Sequence, residues 1–136
     1  MSWNASAEGT EVAIEFAIGA GDMEAFERLS GDSNPLHTDD GFAESLGFRE
    51  RVVYGALIVA KISQLIGMNL PGTGGVWTGL RIDFRNPLYV GETATLTGRV
   101  SHRSEAARMV AIKLRVETGD RCIATGSAEA VCRGDD

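Results

Sequence analysis

At 136 residues, with 43% hydrophobic and 24% charged residues, the chain has the size and balance of one ordinary globular domain rather than of a disordered or fibrous protein. A formal charge of −6 argues against a general electrostatic hold on nucleic acid or anionic lipid, because both need a field of the opposite sign. The N-terminal MSWNASAEGTE has neither a basic start nor an apolar run, and the most apolar stretch, 52–70, is broken by Tyr54, Lys61, Ser63 and Gln64, so no leader and no membrane span is expected and the chain reads as cytoplasmic.

Residues 10–18 alternate, with Val12, Ile14, Phe16 and Ile18 on one side, which predicts a half-buried strand. Gly19 to Gly21 ends it, and Asp22 is placed to cap a short helix over 23–29, where Met23, Phe26 and Leu29 recur at helical spacing. Asn34-Pro35 interrupts helical propagation, since the residue before a proline is pushed out of the α region. A second short helix is expected from Thr38 to Gly47, with Asp39 and Asp40 near its positive end. Residues 52–68, VVYGALIVAKISQLIGM, are apolar nearly all round and too long for a usual strand, which predicts a mostly buried helix closed by Pro71 to Gly75. Strands then follow over 76–85, 92–103, 107–118 and 121–132, the third with the clearest two-residue period. Helices followed by successive strands imply an antiparallel α+β fold in which one curved sheet wraps one long apolar helix, over a single domain, 1–136.

Asp32 and His37 are the first candidate site. On a continuous helix they would point about 140° apart. A non-helical turn at Asn34-Pro35 can instead bring a carboxylate and an imidazole to one small molecule, as addition or removal of water across a polarised double bond requires. The alternative is that Asp32, Ser33 and Asn34 merely make turn hydrogen bonds, with His37 capping a neighbour, and spacing by itself does not decide against it. Asp32, His37, Asp39 and Asp40 are all metal-ligand types, but their spacing matches no zinc or calcium loop, so no metal is expected. Gly55, at the start of the long helix after Tyr54, offers either backbone N–H groups to an oxyanion or close helix packing. Ser63 lacks the glycines of a nucleophile elbow, which argues against a serine hydrolase. His102 reads as a surface residue, and Trp77 and Phe84, at odd spacing on one strand, should face opposite sides. Arg49, Arg51, Lys61, Arg81 and Arg85 are candidate phosphate contacts. Cys122 and Cys132 would lie roughly 33 Å apart on an extended strand, too far for a disulfide.

The stretch AFERLSGDSNPLHTDDGFAESLGFRERVVYGALIVAKIS resembles the MaoC-like (R)-specific enoyl-CoA hydratases, through Phe26, Leu29, Gly31, Asp32, Asn34, Pro35, Leu36, His37 and Ala43. The similarity continues through LIGMNLPGTGGVWTGLRIDFRNPLYVGETATLTGRV. It implies a hot-dog fold, usually a homodimer, that hydrates trans-2-enoyl-CoA to (R)-3-hydroxyacyl-CoA without a cofactor. By position, Asp32 and His37 would be the catalytic pair, Ser63 and Asn34 would support them, and Gly55 with Tyr54 would bind the thioester oxygen. Many members carry histidine where this chain has Tyr54, which alters the polar network and the pocket beside the glycine. Thioester hydrolysis, dehydration on an acyl carrier protein, and a non-catalytic acyl-CoA-binding subunit are the alternatives on the same fold.

Overall fold

The computed structural model describes residues 3–134; the outermost residues of the 1–136 domain expectation, and the first two of the N-terminal stretch read above, lie outside the described residues. Nine elements follow in order: β1 (Glu11–Ala17), α1 (Ala20–Ser30), α2 (Pro35–Thr38), α3 (Asp40–Ser45), α4 (Gly55–Met68), β2 (Gly75–Phe84), β3 (Thr93–Ser104), β4 (Met109–Thr118) and β5 (Arg121–Cys132). The strands form one antiparallel sheet in the order β1-β3-β4-β5-β2, leaving β1 and β2 as its edges.

The two-residue period predicted for the strands decides which side chains meet the helix. Leu96, Val100, Val110, Ile112, Val116, Ala128 and Ala130 point inward and are buried with Ile58, Ile62, Leu65 and Ile66 of α4 in one core cluster. Truncating a fully buried residue such as Ile62 or Leu65 to alanine would cost about 2–5 kcal/mol. Helix and sheet come close at Gly98, where a β-carbon would lie 2.5 Å from Leu65 Cδ2. The opposite side of α4 is not buried as expected: Ala56, Ala60, Ser63, Gln64, Gly67 and Met68 are exposed.

Four local expectations change. Helix α1 starts at Ala20 rather than 23, and Asp22 acts from within its first turn, its Oδ2 accepting the Gly19 N–H at 2.9 Å. Pro35 opens a helical turn, because its fixed φ suits a first helical position and Asn34 caps it. The helix expected from Thr38 is therefore two short ones, α2 and α3, separated by Asp39, whose Oδ1 accepts the Phe42 N–H at 3.1 Å. Helix α4 begins at Gly55, since Val52 bridges to Tyr89 and the Val53 N–H donates to the Leu88 carbonyl at 2.9 Å, holding 52–54 extended.

Trp77 and Phe84 do not face opposite sides. A β-bulge between Trp77 and Gly79 shifts the register against β5, so Trp77 lies opposite Ala130, Leu80 opposite Ala128 and Phe84 opposite Ala124, all inward-facing partners. Phe84 is thereby delivered to the start of α4, where its ring meets Gly55.

Candidate active site

Residues 30–37 are held by a chain of local bonds that their types favour. The Ser30 hydroxyl donates to the Phe26 carbonyl at 2.7 Å and accepts the Asp32 N–H at 3.0 Å. Asp32 Oδ1 accepts the Asn34 N–H at 3.0 Å, and Asn34 Oδ1 accepts the Leu36 N–H at 3.0 Å, two successive Asx turns that lead into α2. His37 is the third residue of that helix and leaves it toward the segment before α4.

There Val52 clasps α2 with both of its backbone groups. Its N–H donates to the Leu36 carbonyl at 3.0 Å, and its carbonyl accepts from His37 Nδ1 at 2.7 Å. A carbonyl can only accept, so Nδ1 carries the proton, and in the neutral ring Nε2 keeps its lone pair. Two residues on, the Tyr54 hydroxyl donates to the Asp32 carbonyl at 2.6 Å, while its ring stacks on the His37 ring at 4.2 Å between centroids. Burial, then the charges of Glu27 and Asp32, raise the Tyr54 pKa above its ordinary 10.0, which keeps the hydroxyl a donor.

His37 and Gly55 line one cleft of about 440 Å³, together with Leu36, Phe48, Val52, Val53, Ile58, Leu88 and the Phe84–Pro87 turn. The wall is mostly apolar. Besides Arg85 and Asn86 of that turn, its polar features are the imidazole and the first amide of α4, and helix geometry leaves such a first-turn N–H without an intrahelical acceptor. Asp32 is exposed and stands outside the cleft lining of the isolated chain. Asn34 is likewise exposed and serves as the cap of α2; Ser63 is exposed on α4, away from the cleft; Tyr54 is 2% exposed and lies behind the site. The structure thus places His37 and Gly55 on one wall and ties Asp32 to them through Tyr54.

Of the candidate phosphate contacts, Arg85 alone lines the cleft, its Nε donating to Thr125 Oγ1 at 2.8 Å. Arg49 packs over the Tyr89 ring and pairs with Glu92 at 3.5 Å, and the Arg51 N–H donates to Asp40 Oδ1. Lys61 reaches Gln64 on its own helix. Arg81 pairs with Asp83 at 3.6 Å beside a second depression, about 600 Å³, on the outer sheet face. That depression is a mixed-charge solvated face, where Arg115 also pairs with Glu117 at 2.9 Å. His102 is a surface residue 3.6 Å from Glu8 Oε1. Cys122 and Cys132 are not joined by a disulfide, and among the described residues no three His, Cys, Asp or Glu side chains gather as a metal site. No helix among them is long and apolar enough to cross a membrane.

Three contacts escaped the sequence reading: the Val52 carbonyl on His37, the Phe84 ring on Gly55, and the Arg49–Glu92–Arg121 cluster around Tyr89. The first joins residues fifteen positions apart with no side-chain signature, and the second depends on a bulge that alternation does not reveal.

The MaoC like domain model matches residues 4–120. The chain belongs to the MaoC-like domain family. It is 33% identical to the (R)-specific enoyl-CoA hydratase of Aeromonas caviae over 94% of this chain and 96% of that protein. Among solved structures, it superposes on an (R)-hydratase from A. caviae involved in PHA biosynthesis with a TM-score of 0.88 and 31% identity, covering 93% of this chain and 96% of the other. The unliganded R-hydratase PhaJ1 of Pseudomonas aeruginosa matches at a TM-score of 0.89 and 27% identity, covering 98% and 86%. The fold of this MaoC-like chain is the α+β hot-dog of those hydratases, with α4 as the helix that the sheet wraps.

Proposed function

We propose that this chain is a hydro-lyase that adds water to trans-2-enoyl-CoA to give (R)-3-hydroxyacyl-CoA, and runs the reverse dehydration. The observation that carries this reading is the shared cleft of His37 and Gly55, with the histidine tautomer set by the Val52 carbonyl. In it the thioester oxygen accepts a hydrogen bond from the Gly55 N–H, where enolate charge develops. Asp32 removes a proton from water, the hydroxide forms the C–O bond at C3 as the double bond's electrons move toward the carbonyl, and that proton is then returned to C2 of the enolate, so that one H and one OH add and the carboxylate is regenerated. His37 Nε2, with its lone pair free, orients the water. Asn34 supports the pair by capping the helix that carries His37.

The same reading includes a homodimer and a cytosolic setting. A base exposed to bulk water is poorly activated, and Asp32 is exposed in the single chain. The free edge of β2 carries Val76, Leu80 and Phe84 at 45%, 37% and 53% exposure, an unpartnered apolar strand of the kind proteins cover. A second copy paired there would extend the sheet and enclose the cleft beside Phe84. The residues act as one MaoC-like unit binding an acyl-CoA thioester, with no nucleic acid or membrane partner.

The test follows loss of enoyl-thioester absorbance with crotonyl-CoA and longer chains, for the wild type, Asp32→Asn and His37→Ala. Hydration by the wild type and a fall of about 10² to 10⁴ in each variant are expected. Release of free CoA without hydration would replace this reading with a thioesterase, and wild-type rates in either variant would remove that residue from the chemistry.

A further inference from the structure

Among the described residues, one hydrogen bond alone joins 31–34 to a residue more than four positions away: the 2.6 Å bond from the Tyr54 hydroxyl to the Asp32 carbonyl. Everything else that shapes this loop is a local turn. The face of the same tyrosine ring lies 4.2 Å from the His37 ring at an interplanar angle of 29°, and Phe26 packs 4.6 Å from it at 51°. Tyr54 also caps α4, so its backbone leads directly into the Gly55 amide. At 2% exposure and outside the cleft lining, it cannot touch a substrate that the cleft holds.

We propose that Tyr54 is a positioning residue that sets the placement of Asp32, His37 and the Gly55 amide relative to one another: the hydroxyl anchors the Asp32 backbone, the ring fixes the imidazole plane, and its own backbone carries the glycine. This rests on the catalytic assignment of Asp32 and His37 made above. The expectation from resemblance, that Tyr54 sits with Gly55 at the thioester oxygen, is thereby replaced by a role behind the reacting groups. Two separate contacts imply two separable effects. Losing the hydroxyl frees the Asp32 loop while leaving the imidazole stacked; losing the ring frees both.

The experiment compares the wild type, Tyr54→Phe, Tyr54→Leu and Asp32→Asn with crotonyl-CoA, and records the His37 Cε1–H proton resonance. The chain has only two histidines, so His37→Ala assigns it. Tyr54→Phe is expected to lower kcat by roughly 10- to 100-fold, in keeping with the cost of misplacing a reacting group by about 1 Å, with KM and the His37 resonance little changed. Tyr54→Leu is expected to lose at least as much kcat and to move the His37 resonance downfield, because ring-current shielding is gone. A protein merely loosened by the change would lose melting temperature without this split between kcat and KM. Wild-type kcat in Tyr54→Phe alongside an inactive Asp32→Asn overturns the proposal and leaves the catalytic pair standing. Full activity in Asp32→Asn removes the catalytic pair and the proposal together. Should Tyr54→Leu fail to fold, the kcat and KM of Tyr54→Phe still decide.

Discussion

The backbone of Gly55 lies directly against the ring of Phe84: a β-carbon at residue 55 would stand 2.8 Å from Phe84 Cζ and 3.1 Å and 3.3 Å from two other ring atoms. Glycine at the start of α4 is therefore favoured by the aromatic ring above it, apart from any part its amide takes in catalysis. Gly55→Ala must push the ring aside, and since Phe84 is half exposed the ring can move, but into the cleft it lines. A loss of stability toward the low end of the ~1–3 kcal/mol typical of overpacking is expected, with at least a tenfold fall in kcat/KM. Gly55→Ala/Phe84→Ala should recover melting temperature and part of the activity, measured by thermal unfolding and crotonyl-CoA hydration.

Glu92 clamps three segments at once. Its carboxylate accepts from the Tyr89 N–H at 2.8 Å and from Arg121, and lies 3.5 Å from Arg49, which covers the Tyr89 ring. Burial alone would raise its pKa, but the Arg121 hydrogen bond, the Tyr89 amide and the two guanidinium charges outweigh that, so the carboxyl titrates below the ordinary 4.5. A depressed folded-state pKa contributes stability that is present above 4.5 and is lost as the pH falls through the lower folded value. Glu92→Gln should be less stable at pH 7 and should show a shallower loss on acidification, read from urea midpoints across that range.

At the alkaline end the sign reverses. The Tyr54 pKa is raised above 10.0 by burial and by the charges of Glu27 and Asp32, so its contribution is whole below 10.0 and drains away as the pH climbs through the higher folded value. Tyr54→Phe should flatten that alkaline decline in melting temperature. Phenolate absorbance offers a second reading, because the chain has two tyrosines and one of them should ionise late until the protein unfolds.

The free edge of β2 predicts the assembly. Leu80→Lys places a charge on the inward side of that edge, 37% exposed in the single chain, where a paired copy would have to bury it. Light scattering should find a dimer for the wild type and a monomer for the variant, with unchanged far-ultraviolet circular dichroism. A monomeric wild type would sink the dimer.

Alternation made the strands legible: Val110, Ile112, Leu114 and Val116 point inward as their spacing predicted, and β5 ends where it was expected. Asp32 to His37 stood out because proline, asparagine and acid types crowd there, and two of those side chains do make the turn bonds their chemistry favours. Starts of helices were harder. Gly19 and Tyr54 cap α1 and α4 without a bond from their own side chains to the helix, so no cap residue announced them. Partners drawn from distant segments, such as the Val52 carbonyl for His37, have no local signature at all.

The extra residue in β2 near Thr78 works as a phase shift. Upstream of it Trp77 already faces the helix, and downstream every side chain has been rotated by one position, which brings Leu80, Ile82 and Phe84 to that side and sends Arg81 and Asp83 outward. Deleting Thr78 would reverse the parity of one half of the strand against the other. Either the aromatic wall of the cleft would become a charged one, or Trp77 would be expelled from the core. The chemistry of the cleft is thus coupled to a strand irregularity at Thr78, well along the strand from the glycine's aromatic neighbour.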